Sequence, residues 1–352
     1  MAKGKTVLGL DIGSNAVKIC RLKETKKGRF LQNFDIAELP PEAIVDGSLM
    51  DANVVTETIQ ELVRRNKIRT KEVAISVSGH SVIIKKIPLP LMTEEELEES
   101  IVWEAEQYIP FDINDVFLDV ETLVTRAAQG QMDVLLVAAK KEMINDYCAV
   151  TRDAGLEPVI VDVDAFCVQN MFEANYGTLD GQTVVLIDIG SAVSTINVVS
   201  QGLTTFTRDI SMGGNQFTEE IQKQLNITYE EAEAYKKGDV SGDSDSVLPQ
   251  EVERVIQNVA EWLSGEIQRS LDFYAATSAD SRIGRIYLSG GTANLPTLGR
   301  VIARTSGVPA ELVNPFRQIS YDTRTFNEHF LESAAASAAV AVGLALRRTA
   351  EV

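Results

Sequence analysis

The tetrapeptide Asp-Ile-Gly-Ser occurs twice, at 11–14 and again at 188–191. Each copy follows an apolar run, Val7-Leu8-Gly9-Leu10 in one case and Val184-Val185-Leu186-Ile187 in the other. Each also precedes a second apolar run, near 17–20 and near 195–199. Apolar run, short polar turn, apolar run is the pattern of a β-hairpin. Its repetition at about half the chain length implies two similar half-domains. A glycine after the acid lets the backbone approach an anion with no Cβ in the way. Two such turns facing one another make a cleft with two carboxylates and a set of backbone N–H groups. That arrangement suits a phosphate chain and a divalent cation. Ser14 and Asn15 add donors at the tip of the first turn. Asp11 and Asp188 are the acids that reach Mg²⁺, through water, since this ion gives up its hydration shell reluctantly.

A chain of 352 residues can build two cores. A net charge of −18 argues against nucleic acid and against direct attachment to an anionic membrane. No apolar run reaches 18 residues, and the N-terminus enters a strand with no leader-like segment, so no direct membrane insertion is expected. Cys20, Cys148 and Cys167 lack metal or redox spacing and read as reduced, buried thiols of a cytosolic protein. Only His80 and His329 are present, which excludes a His-rich metal site and argues against a Ser-His-Asp triad.

Strands are expected near 6–10, 16–22 and 30–37, as a meander, followed by a helix over 53–65 with Val55, Ile59, Leu62 and Val63 on one face. A strand at 72–78 and an apolar run at 82–87 come next. Pro88-Leu89-Pro90 breaks the pattern. Thr93 and Glu96 form a capping box for a helix that stops before Pro110. Strands near 115–124 and 132–140, a helix over 141–154 and a strand at 158–163 complete the first half. After the second turn come a strand at 203–210, a helix carrying Phe217, Ile221 and Leu225, and a second capping box at Thr228 and Glu231. A mobile loop is expected at 239–249 and a long helix over 251–275. A strand into Ser289-Gly290-Gly291 precedes a helix near 295–305, and an alanine-rich helix is expected over 332–347. Neither a simple βαβαβ fold nor a solenoid fits this order.

Strand, small-residue turn and helix start at Leu288–Leu295 put bare backbone beside the cleft, where a flat adenosine ring packs well. Here the residues resemble a known family. The two phosphate turns and the glycine turn at 290–291 resemble the actin and hexokinase superfamily. Within it, Gly9-Leu10-Asp11-Ile12-Gly13-Ser14 with Val17-Lys18 is similar to the PilM family, actin-like proteins of type IV pilus assembly related to the cell-division protein FtsA. So are Glu104-Ala105-Glu106-Gln107-Tyr108-Ile109-Pro110-Phe111, Asp162-Val163-Asp164-Ala165-Phe166, Met212-Gly213-Gly214-Asn215 and Ser289-Gly290-Gly291.

The resemblance implies an α/β, actin-like (ribonuclease H-like) fold of two lobes with duplicated half-domains and an FtsA-type insert. Residues 1–87 and 159–183 would form the first lobe core, with 332–348 packing back on it. Residues 88–158 would form the insert. Residues 184–216 and 276–331 would form the second lobe core, and 217–275 its helical subdomain. ATP and Mg²⁺ are the implied ligands. Asp11, Gly13, Ser14, Asn15 and Lys18 would hold phosphates from one side, and Asp188, Gly190, Ser191, Gly213 and Gly214 from the other. Glu233 and Lys236, with Gly290, Gly291, Thr292 and Asn294, would hold the adenosine.

One departure bears on turnover. Strongly hydrolysing relatives have further Gly and Thr residues in the second turn, where this chain has Ala192 and Val193. No Gln, Glu or His stands directly after the strand at 159–163; Asp162 and Asp164 are the nearest candidates for a base. The expectation is an ATP-binding scaffold with weak or no ATPase activity. Its implied partner is the N-terminal cytoplasmic tail of the membrane protein PilN, docked between the first core and the insert. Other pilus machine proteins and self-association are further expected contacts. A divisome anchor like FtsA and a sugar or small-molecule kinase are the alternatives.

Overall fold

In the computed structural model, the structure describes residues 4–126, 129–179, 181–238, 247–278 and 282–350. Two central sheets carry the duplicated hairpins. The first has six strands in the order Glu157–Val163, Glu72–Val77, Leu8–Ile12, Ala16–Thr25, Gly28–Glu38 and Ile319–Ser320. The second has five, in the order Leu203–Ile210, Ser194–Ser200, Thr183–Ile189, Ile283–Ser289 and Ala310–Leu312. Both are antiparallel across the hairpins and parallel beyond them. Leu8 and Leu10 in one lobe, and Val185 and Ile187 in the other, are fully buried. The strands containing them read as continuous apolar runs because both faces are covered.

The register of the two hairpins is the same. Asp11 pairs with Lys18 and Ile12 with Val17, while Asp188 pairs with Thr195 and Ile189 with Ser194. The Gly13 N–H donates to Ala16 O at 3.1 Å, and the Gly190 N–H to Val193 O at 2.9 Å. Identical turns on equivalent strands are what the repeated tetrapeptide encodes.

A three-stranded sheet, Val82–Pro90, Gln131–Lys140, Val116–Arg126, forms the insert with the helix Glu94–Glu106. Its capping box is formed: Glu96 N–H donates to Thr93 Oγ1, and Thr93 N–H to Glu96 Oε2. Leu97, Ile101 and Ala105 pack onto Val134, Leu136 and Ala138. The expected break at Pro88-Leu89-Pro90 comes at the last of these residues: the strand Val82–Pro90 carries Pro88 in its ladder and stops at Pro90. That strand lies at the sheet's edge, where a missing N–H leaves no ladder bond broken.

The second lobe is completed by Gly214–Leu225, Tyr229–Lys237 and the helix Val247–Thr277, whose Val252, Val255, Val259, Leu263, Ile267 and Leu271 are buried and whose Ile256 is half-buried. The expected loop at 239–249 lies outside the described residues as far as 246, and 247–249 already belong to that helix.

Two segments differ from expectation. The helix Asp164–Tyr176 has no forerunner in the sequence reading: Ala165, Cys167, Val168, Met171 and Phe172 are all buried, so no clean polar stripe marks it. The alanine-rich end is not one helix. It divides into Glu328–Ala334, a 3₁₀ turn at Ala336–Ala338, and Ala339–Ala345, before a strand Arg348–Ala350 pairs with Gly4–Thr6. Ala336 O accepts the Gly290 N–H at 2.8 Å, which diverts a carbonyl from the helical ladder. The small residues of Ala339–Ala345 allow close packing on the first lobe: a Cβ on Gly9 would lie 2.4 Å from Ala341 O, and one on Gly343 would lie 1.9 Å from Cys167 O.

Candidate nucleotide cleft

Strands Leu8–Ile12, Glu72–Val77 and Glu157–Val163 run parallel, so their carboxyl ends emerge on one edge. Thr183–Ile189 and Ile283–Ser289 do the same in the second lobe. The segments that follow these ends face one another across a cavity of about 770 Å³, within the ordinary range for a small-molecule site. It is lined by Asp11, Gly13, Ser14, Asn15 and Lys18, by Asp188, Gly190 and Ser191, and by Gly214, Glu233, Lys236, Gly290, Gly291, Thr292 and Asn294. Of the expected site residues, only Gly213 stands outside the lining. It sits behind the second turn, where a Cβ would meet Gly190 O at 2.5 Å and Ser191 O at 2.7 Å. That absence of side chain lets the Gly214 N–H reach Gly190 O at 2.9 Å and the Asn215 N–H reach Ser191 O at 2.8 Å. The start of the helix Gly214–Leu225 is thereby tied to the second turn, with its positive end beside the cleft.

The floor is acidic. Asp11 accepts from Lys18 Nζ at 2.8 Å, and both are largely buried. Asp188 accepts from Ser289 Oγ at 2.7 Å. Asp164, at the start of the buried helix, also lines the cavity. Burial, then Asp11, push the Asp164 carboxyl up to about 7, against the opposing hydrogen bonds of Ser76 and Ser78. Burial pushes Asp188 up to about 6, with Asp11 adding to it and Ser289 opposing. Burial pulls the Lys18 ammonium down, but Asp11, Asp188 and Asp164 outweigh it and hold the group above its usual value. Three carboxylates share this lysine, and in the second hairpin its register position is taken by Thr195. Carboxylate oxygens in a water-accessible cleft fit a hydrated Mg²⁺, which needs only one or two of them. Among the described residues no cluster of three or more His, Cys, Asp or Glu forms a ready-made cage.

Glu233 and Lys236 are partly buried and joined at 2.5 Å. Lys236 Nζ also donates to Thr218 Oγ1 at 2.8 Å and to Gly214 O at 3.2 Å. Thr218 Oγ1 donates to Glu233 Oε2 at 2.6 Å. Burial favours the neutral acid, yet Lys236 and Thr218 prevail and hold the Glu233 carboxyl below its usual range. Gly290 has φ +87, and a Cβ there would lie 2.3 Å from Ile189 O, so only glycine fits. Thr292 Oγ1 donates to Gly190 O at 2.7 Å, joining the glycine turn to the second phosphate turn. Asn294 Nδ2 reaches Ser333 O at 3.5 Å.

Sequence reasoning missed Glu38, Ser76, Ser78, His80, Tyr147, Phe330 and Ser337, which all line the cavity. Ser76 lies at the carboxyl end of the parallel strand Glu72–Val77 and Ser78 just beyond it, so the rule that ligands bind at strand carboxyl ends could have found them. The others arrive from distant segments and carry no local signal. Ties between the lobes include Lys237 Nζ to Glu38 Oε1 at 3.1 Å, the Gly79 N–H to Asp209 Oδ2 at 2.8 Å and Asn197 Nδ2 to Ala165 O at 3.2 Å.

A family model described as type IV pilus assembly protein PilM matches residues 9–349. A chain of a PilM-PilN type IV pilus biogenesis complex superposes with a TM-score of 0.87 at 29% identity, covering 98% of this chain and 99% of that one. MreB 5 of Spiroplasma citri bound to AMPPNP gives a TM-score of 0.54 at 15% identity, over 97% of this chain and 95% of that one. The cell division protein FtsA of Bacillus subtilis (strain 168) is 24% identical over 264 residues, 67% of this chain. The match spans 58% of that relative's length. FtsA of Streptococcus pneumoniae is 23% identical over 367 residues, 90% of this chain and 77% of that protein. The fold is actin-like: two lobes, duplicated half-domains and an insert.

Proposed function

The chain belongs to the type IV pilus assembly protein PilM family, and from that premise we propose that it is an ATP-binding scaffold of the pilus inner-membrane machine. It stands at the cytoplasmic face and docks the N-terminal cytoplasmic tail of PilN. The observation that carries the nucleotide half is the pair of Asp-x-Gly turns, alike in register and turn hydrogen bond, that meet at one cavity. Gly13, Ser14 and Asn15 hold phosphate oxygens from one side, and Gly190, Ser191 and Gly214 from the other. Lys18 compensates phosphate charge. Asp11 and Asp188 hold water bound to Mg²⁺, which supplies charge neutralisation for the phosphates. Glu233, Lys236, Gly290, Gly291, Thr292 and Asn294 hold the nucleoside. Ala192 and Val193 give the second turn no side-chain donors, which favours retention of nucleotide over its cleavage.

The partner half rests on the likeness to the PilM chain of the solved PilM-PilN complex, at 29% identity over 98% of this chain. Among the described residues no helix is long and apolar enough to cross a membrane, so a membrane partner supplies the location. Nucleotide shifts the balance of open and closed clefts only by its differential affinity for the two. Titration of a PilN tail peptide, with and without MgATP, tests the reading. Saturable binding that tightens or weakens with nucleotide is expected. No saturable binding would remove the scaffold role, and equal affinity in both conditions would remove the coupling.

A further inference from the structure

The insert leaves one strand edge open. Val116–Arg126 is the last strand of its sheet, hydrogen-bonded to Gln131–Lys140 on one side, and no strand pairs with its other side among the described residues. A groove of about 560 Å³ runs along that side. Five consecutive residues of the strand, 118–122, line it. Successive side chains point to opposite faces, so a continuous run means that the groove follows the backbone edge itself. Val120 N–H donates to the carboxylate of its neighbour Asp119 at 2.9 Å. The opposite wall is the helix Glu94–Glu106 with the residues just before it. The floor is apolar, from Met92, Leu97, Ile101, Leu118 and Val120. The rim is acidic, from Glu94, Glu98, Asp119 and Glu121, and its described lining includes no Lys or Arg.

We propose that this edge is a docking site for an extended, positively charged segment of another protein, added as a fourth strand to the insert sheet. Main-chain bonds to the open edge supply affinity, and alternate side chains supply selectivity. Apolar residues of the segment face Met92, Leu118 and Val120, the half-buried part of that floor. Its lysines or arginines lie against the four rim carboxylates. Five residues of strand span roughly 17 Å, which sets the length of the segment at about five residues. The site lies on the insert, away from the nucleotide cleft, and stands whether or not ATP binds.

The test uses the full chain and a fluorescein-labelled peptide, Lys-Val-Lys-Val-Arg-Val-Lys, followed by anisotropy. Two controls are a peptide of the same charge with Pro for the central Val, and one with every base replaced by Glu. The expected result is saturable binding of the first, at least tenfold weaker binding of both controls, and slower amide exchange confined to 116–126 on binding. The Glu98→Lys and Asp119→Lys double variant, with an unchanged circular dichroism spectrum, should weaken binding at least tenfold. Equal binding of the proline peptide would show mere charge attraction and overturn the proposal. So would undiminished binding by the double variant, or exchange protection elsewhere. Concentration-dependent self-association of the free chain that the double variant abolishes would also overturn it, by assigning the edge to a second copy.

Discussion

Replacing Asp164 by Asn should make the protein more stable, by an amount set by pH. In the folded chain this carboxyl is pushed from its usual 3.8 to about 7, by burial first and then by Asp11. A carboxyl with a raised folded pKa binds its proton more tightly when folded. Stability from that proton is present at low pH and is lost as pH rises from 3.8 through about 7. The full rise, at roughly 1.4 kcal/mol per pH unit, sets a ceiling of about 4 kcal/mol. Part of the loss has already occurred by pH 5, because the unfolded carboxyl is ionised there. Between pH 5 and pH 8 the variant should therefore gain about 2–3 kcal/mol relative to the parent. Asparagine keeps hydrogen-bonding capacity toward Ser76 and Ser78 while removing the charge. Urea unfolding of both proteins at pH 5, 6, 7 and 8, in EDTA and without nucleotide, reads the difference. A gap that is constant across this range, or that favours the parent at pH 8, would refute the view that three carboxylates are crowded under one lysine.

The Asp11–Lys18 pair is largely buried, so Lys18→Met should cost about 3–5 kcal/mol at pH 7 by stranding Asp11, seen as a lower urea midpoint. Gly213→Ala puts a Cβ against Gly190 O and Ser191 O; it should cost about 1–3 kcal/mol, seen as a lower Tm, and should weaken MgATP at least tenfold in calorimetry by moving the helix start off the second turn. An unchanged Tm would mean that the turn and the helix start are not tied as described.

What was legible in the sequence followed from local chemistry. The repeated turns were readable because glycine and a carboxylate at a hairpin tip leave a short, conspicuous signature, and both hairpins form with one register. Thr93 with Glu96, and Thr228 with Glu231, announced helix starts that the structure has. Burial on several sides hid Asp164–Tyr176, since a helix with a broad apolar surface shows no sharp periodicity. The division of the alanine-rich end was also out of reach. It depends on a carbonyl of Ala336 meeting an amide of Gly290, a contact between segments far apart in the chain. Pro90 does mark the end of its strand, whereas Pro88 lies within it, which depends on that strand being the sheet's edge. The cleft's catalogue was partial for the same reason: Asp11, Asp188 and the glycines announce themselves, whereas Phe330 and Ser337 reach the cavity only through tertiary packing.

Isothermal titration of MgATP into the purified chain, stripped of any nucleotide, and into its Asp11→Ala variant bears most directly on the cleft. The parent should bind one ATP per chain and the variant at least tenfold more weakly, both proteins having the same circular dichroism spectrum. Absence of binding by the parent, or equal binding by the two, would contradict the assignment of the paired turns to nucleotide.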